Sequence, residues 1–425
     1  MSSALVILKM YTGSNIFLWA FLLVISLAII FDKIENKFTY LIFFISWVYT
    51  LKFSFNQFSL FLFISVLYIV VCLIYILMHN LKLQFKLLLS YLLFATYVIA
   101  IPLIGGGSLT TILGFLINYT AIFIAVLFIK DKSLYGKYIN MYAIGLLLSS
   151  VVRFISYSIP NLNQYFLNMA TTQTLIVGGE LNIRFAGADL DPNYYSIQVL
   201  IAISCLLVNI YYSKRNKKSS ILLAVILSSL GLLSLSKMYL IALVFLICIT
   251  LISLIKNNIT LALKFIFFII VFGGVIASFS FDYFYNSFVQ RFDAGGTFDS
   301  LTTGRGTIWL MYLSEIFNNM KLLFLGTGYG TGFLNNIASH NMYLLALYYM
   351  GLIGIVITMF YIKSLREMFI IKTEQKKHFQ LLSVNAIPLL VLLFSNLSLD
   401  SFVMDFFPIH LFIVLFSLDY KSEVI

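Results

Sequence analysis

The sequence predicts an all-α polytopic membrane protein with about 12 to 13 transmembrane helices and two long outer loops. Three observations predict it. Of 425 residues, 61% are hydrophobic and only 10% charged, and the mean hydropathy is +1.01; this balance excludes a soluble globular protein. Apolar runs of about 18 residues or more recur along nearly the whole length. They are continuous rather than alternating, which argues against a β-barrel.

The spans read, in order, Asn15–Phe31, Phe38–Thr50, Ser59–Met78, Leu87–Ile104, Leu109–Ile129, Tyr138–Tyr157, Tyr194–Tyr212, Ser220–Leu235, Met238–Ile255, Ala262–Phe279, Met342–Ile362, Leu381–Leu397 and Phe402–Leu418. The second is short and reads as partly re-entrant, hence 12 or 13 spans. The first apolar run lacks a small-residue cleavage site and reads as a retained span. The chain divides into an N-terminal bundle (1–157), a first long outer loop (158–193), central helices (194–280), a second long outer loop (281–341), and C-terminal helices with a tail (342–425).

Net charge is +11, yet it does not imply nucleic acid. The lysines lie mainly in short loops, where they orient the chain and meet anionic headgroups. Lys130–Lys137, Ser213–Lys218, Lys256–Lys264 and Lys363–Lys377 all fall on one side, which the positive-inside rule makes cytoplasmic, together with the C-terminus; the side of the N-terminus stays open. Cys72, Cys205 and Cys248 lie inside spans without a pairing pattern, so neither a disulfide framework nor a zinc site is implied. No internal repeat is evident.

Arginine usage points to the outer loops. Lys outnumbers Arg 21 to 6, yet Arg153, Arg184, Arg291 and Arg305 fall in segments assigned to the outside. A planar fork grips phosphate or carboxylate oxygens in pairs, which a lysine cannot do. Arg153, near a span end, reads as snorkelling to the interface. Asp293 is available to pair with Arg291.

The second loop carries Thr302-Thr303-Gly304-Arg305-Gly306-Thr307-Ile308-Trp309, then Gly326-Thr327-Gly328-Tyr329-Gly330, then Ser339-His340-Asn341-Met342-Tyr343-Leu344, with Gly351-Leu352-Ile353-Gly354 in the next span. Thr303 is placed to cap a helix that carries Arg305 in its first turn, and a helix N-terminus beside a guanidinium is an anion site. The glycines allow close backbone approach to a ligand. His340 can accept a proton near neutral pH. Trp309 can stack on a sugar ring, although interfacial aromatic belts are the commoner use. His79, His378 and His410 lack such context and read as interfacial. Asp189-Leu190-Asp191 has the spacing of metal-dependent sugar transferases; Asp191 before Pro192 is better explained as a helix cap. Gly105-Gly106-Gly107 is too short and isolated for a phosphate loop.

This stretch resembles the C-terminal signature of the O-antigen polymerase and O-antigen ligase superfamily. That pattern runs Gly-Arg, a nearby Trp, a helix, Gly-x-Gly, His-Asn-x-Tyr-Leu, then Gly-x-x-Gly, and each element is present between Gly304 and Gly354. Arg184-Phe185-Ala186-Gly187 followed by Asp191-Pro192-Asn193 resembles the family's Arg-x-x-Gly…Pro-Asn. Ser236-Lys237 stands where the family has Ser-Arg, a departure that leaves the role of Lys237 open. The resemblance covers roughly Arg184 to Gly354. It implies a glycosyltransferase of the bacterial plasma membrane, with its site facing the periplasm or exterior. It further implies a glycan donor and acceptor on undecaprenyl pyrophosphate, and no metal, nucleotide sugar or other cofactor. Catalytic roles fall on His340, Arg305 and Arg184, and substrate contacts on Arg291, Lys237, Asn193, Trp309, Asn341 and Gly328. The altered Ser-Arg element favours a polymerase of lipid-linked surface polysaccharide (O-antigen, capsule or exopolysaccharide). The alternatives are a ligase to lipid A core and, from another class, a lipid-linked oligosaccharide flippase. Partners would be membrane lipid, a flippase and a chain-length regulator.

Overall fold

In the computed structural model, residues 1–53, 59–129, 133–169, 174–177, 180–189, 191–213, 217–292, 304–372, 382–418 and 420 are described. The chain is a helical membrane protein. Among the described residues, seven helices are long and apolar enough to cross a bilayer: α4 (Leu60–Met78), α5 (Phe85–Gly105), α6 (Leu109–Leu127), α7 (Ser133–Ser156), α9 (Pro192–Tyr212), α11 (Lys237–Asn257) and α15 (Met342–Lys372). Shorter apolar helices accompany them: α2 (Ile16–Phe31), the first part of α12 (Ile259–Phe292), α16 (Ile387–Ser395) and α17 (Phe407–Leu418). Two further helices, α3 (Ile34–Phe44) and α10 (Lys217–Leu232), coincide with the remaining predicted spans. The physical reason is common to all: a backbone among apolar side chains must bond to itself, and a helix does so within one segment. Short polar side chains then close several helix starts. Ser59 accepts from the Phe61 N–H (3.2 Å), Asp191 from Asn193 (2.6 Å) and Ser236 from Tyr239 (3.3 Å).

The structure departs from the sequence reading in four places. An additional helix, α1 (Ser2–Thr12), precedes the first predicted span. The predicted first loop contains α8 (Pro160–Met169) and a hairpin of β1 (Thr174–Val177) with β2 (Glu180–Ile183), Thr174 opposite Ile183. The helix predicted to end at Phe279 continues as α12 to Phe292, because no Gly or Pro between positions 275 and 292 interrupts it and propagation is easier than a new start. Arg291 therefore lies in a helix rather than a loop. Lastly, Arg153 does not snorkel. It is fully buried, donates to Ser156 Oγ (3.1 Å) and Asn163 Oδ1 (3.3 Å), and lies 4.6 Å and 4.9 Å from the ring centres of Tyr157 and Phe166.

The helix ends sort into two faces. On one, Lys137 donates to Asn36, Lys86 pairs with Glu367, and Asn385 donates to the Ser417 carbonyl (2.7 Å). This face carries the basic connections. On the other, Ser108 N–H donates to the Gly330 carbonyl (3.2 Å), Phe185 to Leu233 (3.1 Å) and Met342 to Asn396 (3.0 Å). The described ends of both long predicted loops meet on this second face.

Helix α15 is broken where it meets α5. Gly351 has φ 57° and ψ −177°, a conformation open essentially only to glycine. The carbonyls of Tyr348, Tyr349 and Met350, which the break frees, all find partners. Thr327 and Gly328 N–H donate to the first two (2.9 Å each) and the Tyr97 hydroxyl to the third (2.7 Å). The Gly326–Gly330 turn is thus clamped against the break. A Cβ on Gly328 would lie 2.4 Å from Pro102 Cα, so its close backbone approach is made to α5. The triple glycine at 105–107 joins this turn through the Ser108–Gly330 hydrogen bond. Replacing Gly351 by Ala should destabilise the protein by about 2 kcal/mol or more, from backbone strain plus the clash with Phe324. Thermal unfolding in detergent measures this, and an unchanged midpoint would contradict the clamp.

Candidate functional site

Helix α13 (Arg305–Asn318) starts after Gly304, whose φ is 79°. Gly304 therefore holds the capping position; Thr303, Asp293 and His378 lie outside the described residues. Arg305, Trp309 and Tyr312 recur at helical spacing on one face. Trp309 donates its indole N–H to the Ser339 carbonyl (3.0 Å). The buried Tyr312 hydroxyl donates to Ile337 (2.8 Å) and accepts from the Leu334 N–H (3.2 Å). One helix face thus lays out the segment that ends in His340.

The other half of the frame is the connection between α16 and α17. Asp400 is fully buried. Its carboxylate accepts from Ser339 Oγ, His340 N–H (2.8 Å) and Asn341 N–H (2.9 Å). Asn341 Nδ2 reaches the Leu397 carbonyl (3.1 Å), while its Oδ1 caps α15 by accepting from Tyr343 (3.0 Å) and Leu344 (3.2 Å). Arg305 donates to the Ser398 carbonyl (3.0 Å). These contacts hold His340 at φ 50°, a left-handed backbone that is uncommon for residues other than glycine, although histidine tolerates it better than most.

The His340 ring is half-buried, and its Nδ1 has no hydrogen-bond partner among the described residues; the same is true of Ser398 Oγ. Arg305 makes one protein hydrogen bond there and keeps further donors of its fork. Burial, and then the Arg305 charge, lowers the His340 pKa below its ordinary value; Asp400 and Asp191 oppose this. Asp191 comes from the first predicted loop and also acts on Arg305. The two loops therefore converge.

Beside this cluster, Arg184 is nearly buried and donates to the Ser234 carbonyl (3.1 Å) and to Asn193 Oδ1 (3.0 Å). Ser236 Oγ donates to the same oxygen (2.7 Å). Arg184 and Asn193 thus fasten the start of α9 to the turn before α11, whose first residue is Lys237. Arg291 has no described side chain. Gly328 sits in the clamp around α15 rather than beside His340.

Sequence reasoning missed Asp400, the residue on which the His340 segment hangs. Its available signal was a lone carboxylate between two apolar runs, a costly placement that usually marks a specific role. His410 was also misread: it is fully buried, not interfacial, with Nε2 2.6 Å from the Tyr142 hydroxyl. His79 is exposed and stacks on Tyr75, ring centres 3.9 Å apart.

No protein-family model, curated protein or solved structure matches the chain. The arrangement by itself offers a guanidinium with donors to spare among the described residues, a half-buried imidazole and a buried carboxylate that positions the backbone of His340. Asp400→Ala should cost about 3 kcal/mol or more, because three donors lose their acceptor in an apolar setting. Thermal unfolding would show it; a variant as stable as the native protein would remove Asp400 from this role.

Proposed function

We propose that this chain is a polyprenyl-pyrophosphate-dependent glycosyltransferase, a polymerase of lipid-linked surface polysaccharide at the outer face of a bacterial plasma membrane. One observation carries the proposal: Arg305 and His340, 35 positions apart in the sequence, are held around one buried carboxylate with Asp191 of the other loop within electrostatic reach. The ordered motif from Gly304 to Gly354 gives that geometry its chemical interpretation. The charge pattern of the sequence supports the outward orientation in this reading, since lysine-rich loops favour the cytoplasmic side.

In this reading Arg305 holds the donor pyrophosphate and stabilises the charge that grows as the bond from sugar C1 to phosphate oxygen breaks. His340, neutral above its lowered pKa, accepts the proton of the acceptor hydroxyl as that oxygen bonds to C1. The pyrophosphate leaves with the electron pair. Asp400 and Asn341 fix the backbone of His340. Arg184 and Asn193 position the turn that presents Asp191. A ligase would use the same cluster, and the product separates the two.

His340→Ala should lower turnover by about 100-fold or more with little effect on donor binding, and His340→Gln should not rescue it. Arg305→Lys should restore only part of what Arg305→Ala loses. Because the imidazole pKa is lowered, its base form persists as pH falls to 6.5. The acid limb of the rate profile should therefore lie below the ordinary histidine value. Full activity of His340→Gln, or a limb above 6.5, would eliminate His340 as the base.

Deleting the gene and resolving surface glycans by electrophoresis tests the polymerase reading. Single repeat units on the carrier are the expected result. Full-length chains accumulating on the carrier would indicate a ligase, and unchanged glycans would count against both.

A further inference from the structure

The connection that holds His340 at Asp400 has a second end. Past a short 3-10 turn, Ser401–Val403, it presents Asp405. Asp405 Oδ1 accepts from Asn118 Nδ2 (2.9 Å), while Oδ2 has no partner among the described residues and the side chain is half-buried. Around it stand Tyr49, Tyr194 and Lys52, also half-buried. Their neighbours Trp47, Leu51 and Phe402 are buried.

These side chains adjoin the His340 cluster. Tyr194, in the first turn of α9, is within electrostatic reach of Arg305, Asp400, Asp191 and Asp189. Tyr49 is within reach of Tyr194, Asp189 and Asp405. Lys52 Nζ lies 5.6 Å from the centre of the Tyr49 ring and acts on Asp405. The Tyr49 hydroxyl has only a long contact to Met404 Sδ (3.6 Å), and that of Tyr194 has no partner among the described residues. Behind them Gln198, 2% exposed, donates to Asp189 while its own Oε1 stays unpartnered. Unused polar groups in such a setting call for a ligand or water.

We propose that Tyr49, Tyr194, Asp405 and Lys52 form a second subsite that binds a non-acidic sugar of the acceptor. The aromatic rings offer a face for the C–H side of a pyranose, and the free carboxylate oxygen and tyrosine hydroxyls bond its hydroxyl groups. The nearby carboxylates Asp189, Asp191 and Asp400 repel an acidic sugar, whereas burial raises the Asp405 carboxyl pKa, so that this group acts chiefly through hydrogen bonds. The assignment to the acceptor rests on the proposed transfer reaction, because Arg305 is already given to the pyrophosphate donor. Sugar binding itself does not rest on it.

Two arms test this with the full-length protein in detergent or nanodiscs. In the first, neutral, amino-sugar and uronic-acid-terminated oligosaccharides are titrated and followed by saturation-transfer NMR. Neutral and amino sugars should bind; the uronate should bind at least about tenfold more weakly. Asp405→Asn and Tyr194→Phe should each weaken neutral-sugar binding about tenfold while the protein melts normally. Equal binding of the uronate, or native affinity in both variants, would overturn the subsite. In the second arm, transfer from a lipid-linked donor is assayed. Asp405→Asn should raise the acceptor KM about tenfold and leave the donor KM unchanged. An equal rise in both would overturn the assignment to the acceptor. Sugar binding without any transfer by the native protein would overturn the glycosyltransferase reading and leave the subsite standing.

Discussion

Three donors, Ser339 Oγ and the N–H groups of His340 and Asn341, share the carboxylate of Asp400, and in an apolar surrounding none has water as an alternative. That sharing orders much of the site face. It sets the backbone of His340, and it places Asn341 so that its side chain caps α15. The same connection receives Arg305 at the Ser398 carbonyl. Helix α13 approaches from the opposite side through Trp309 and Tyr312, so the segment between Ile337 and Asn341 is held on both flanks. A site built this way keeps its geometry before any ligand arrives, which is what a preorganised charge-stabilising site requires.

The two predicted loops play unequal parts. The second supplies Arg305 and His340. The first supplies Asp191, placed by the cap at the start of α9 and fastened through Asn193 to Arg184 and Ser236. Arg184 uses donors on protein oxygens, whereas Arg305 makes one hydrogen bond among the described residues. Two arginines that look alike in the sequence are therefore in different physical situations, one fastening the frame and the other with donors to spare among the described residues.

The helices were legible because their signal is redundant: twenty or so consecutive apolar residues admit few alternatives. Arg305, His340 and Asn341 were legible as a motif. What escaped depended on partners distant in sequence. Asp400 serves His340 from 60 positions away, and nothing local announces that. The buried states of Arg153 and His410 depend on Tyr157, Phe166 and Tyr142, and a charge near a span end looks the same whether it snorkels or is enclosed. The continuation of α12 to Phe292 escaped because hydropathy falls there although no Gly or Pro interrupts the helix. The glycines of the 326–330 turn carried the right signal, close approach, but the partner is the interrupted backbone of α15.

That interruption has a consequence for biosynthesis. The Tyr97 hydroxyl donates to carbonyls 228 and 253 positions further along, those of Leu325 and Met350. At bacterial and eukaryotic elongation rates the second partner is made roughly 10–50 s after α5. During that interval the Tyr97 hydroxyl and the glycine-rich end of α5 lack the partners they have in the folded protein. Chains stopped before Met350 would present this open seam, a polar defect at membrane depth of the kind that marks an incomplete protein for chaperones and proteases. Insertion of the last helices is then also the step that closes the first half of the molecule.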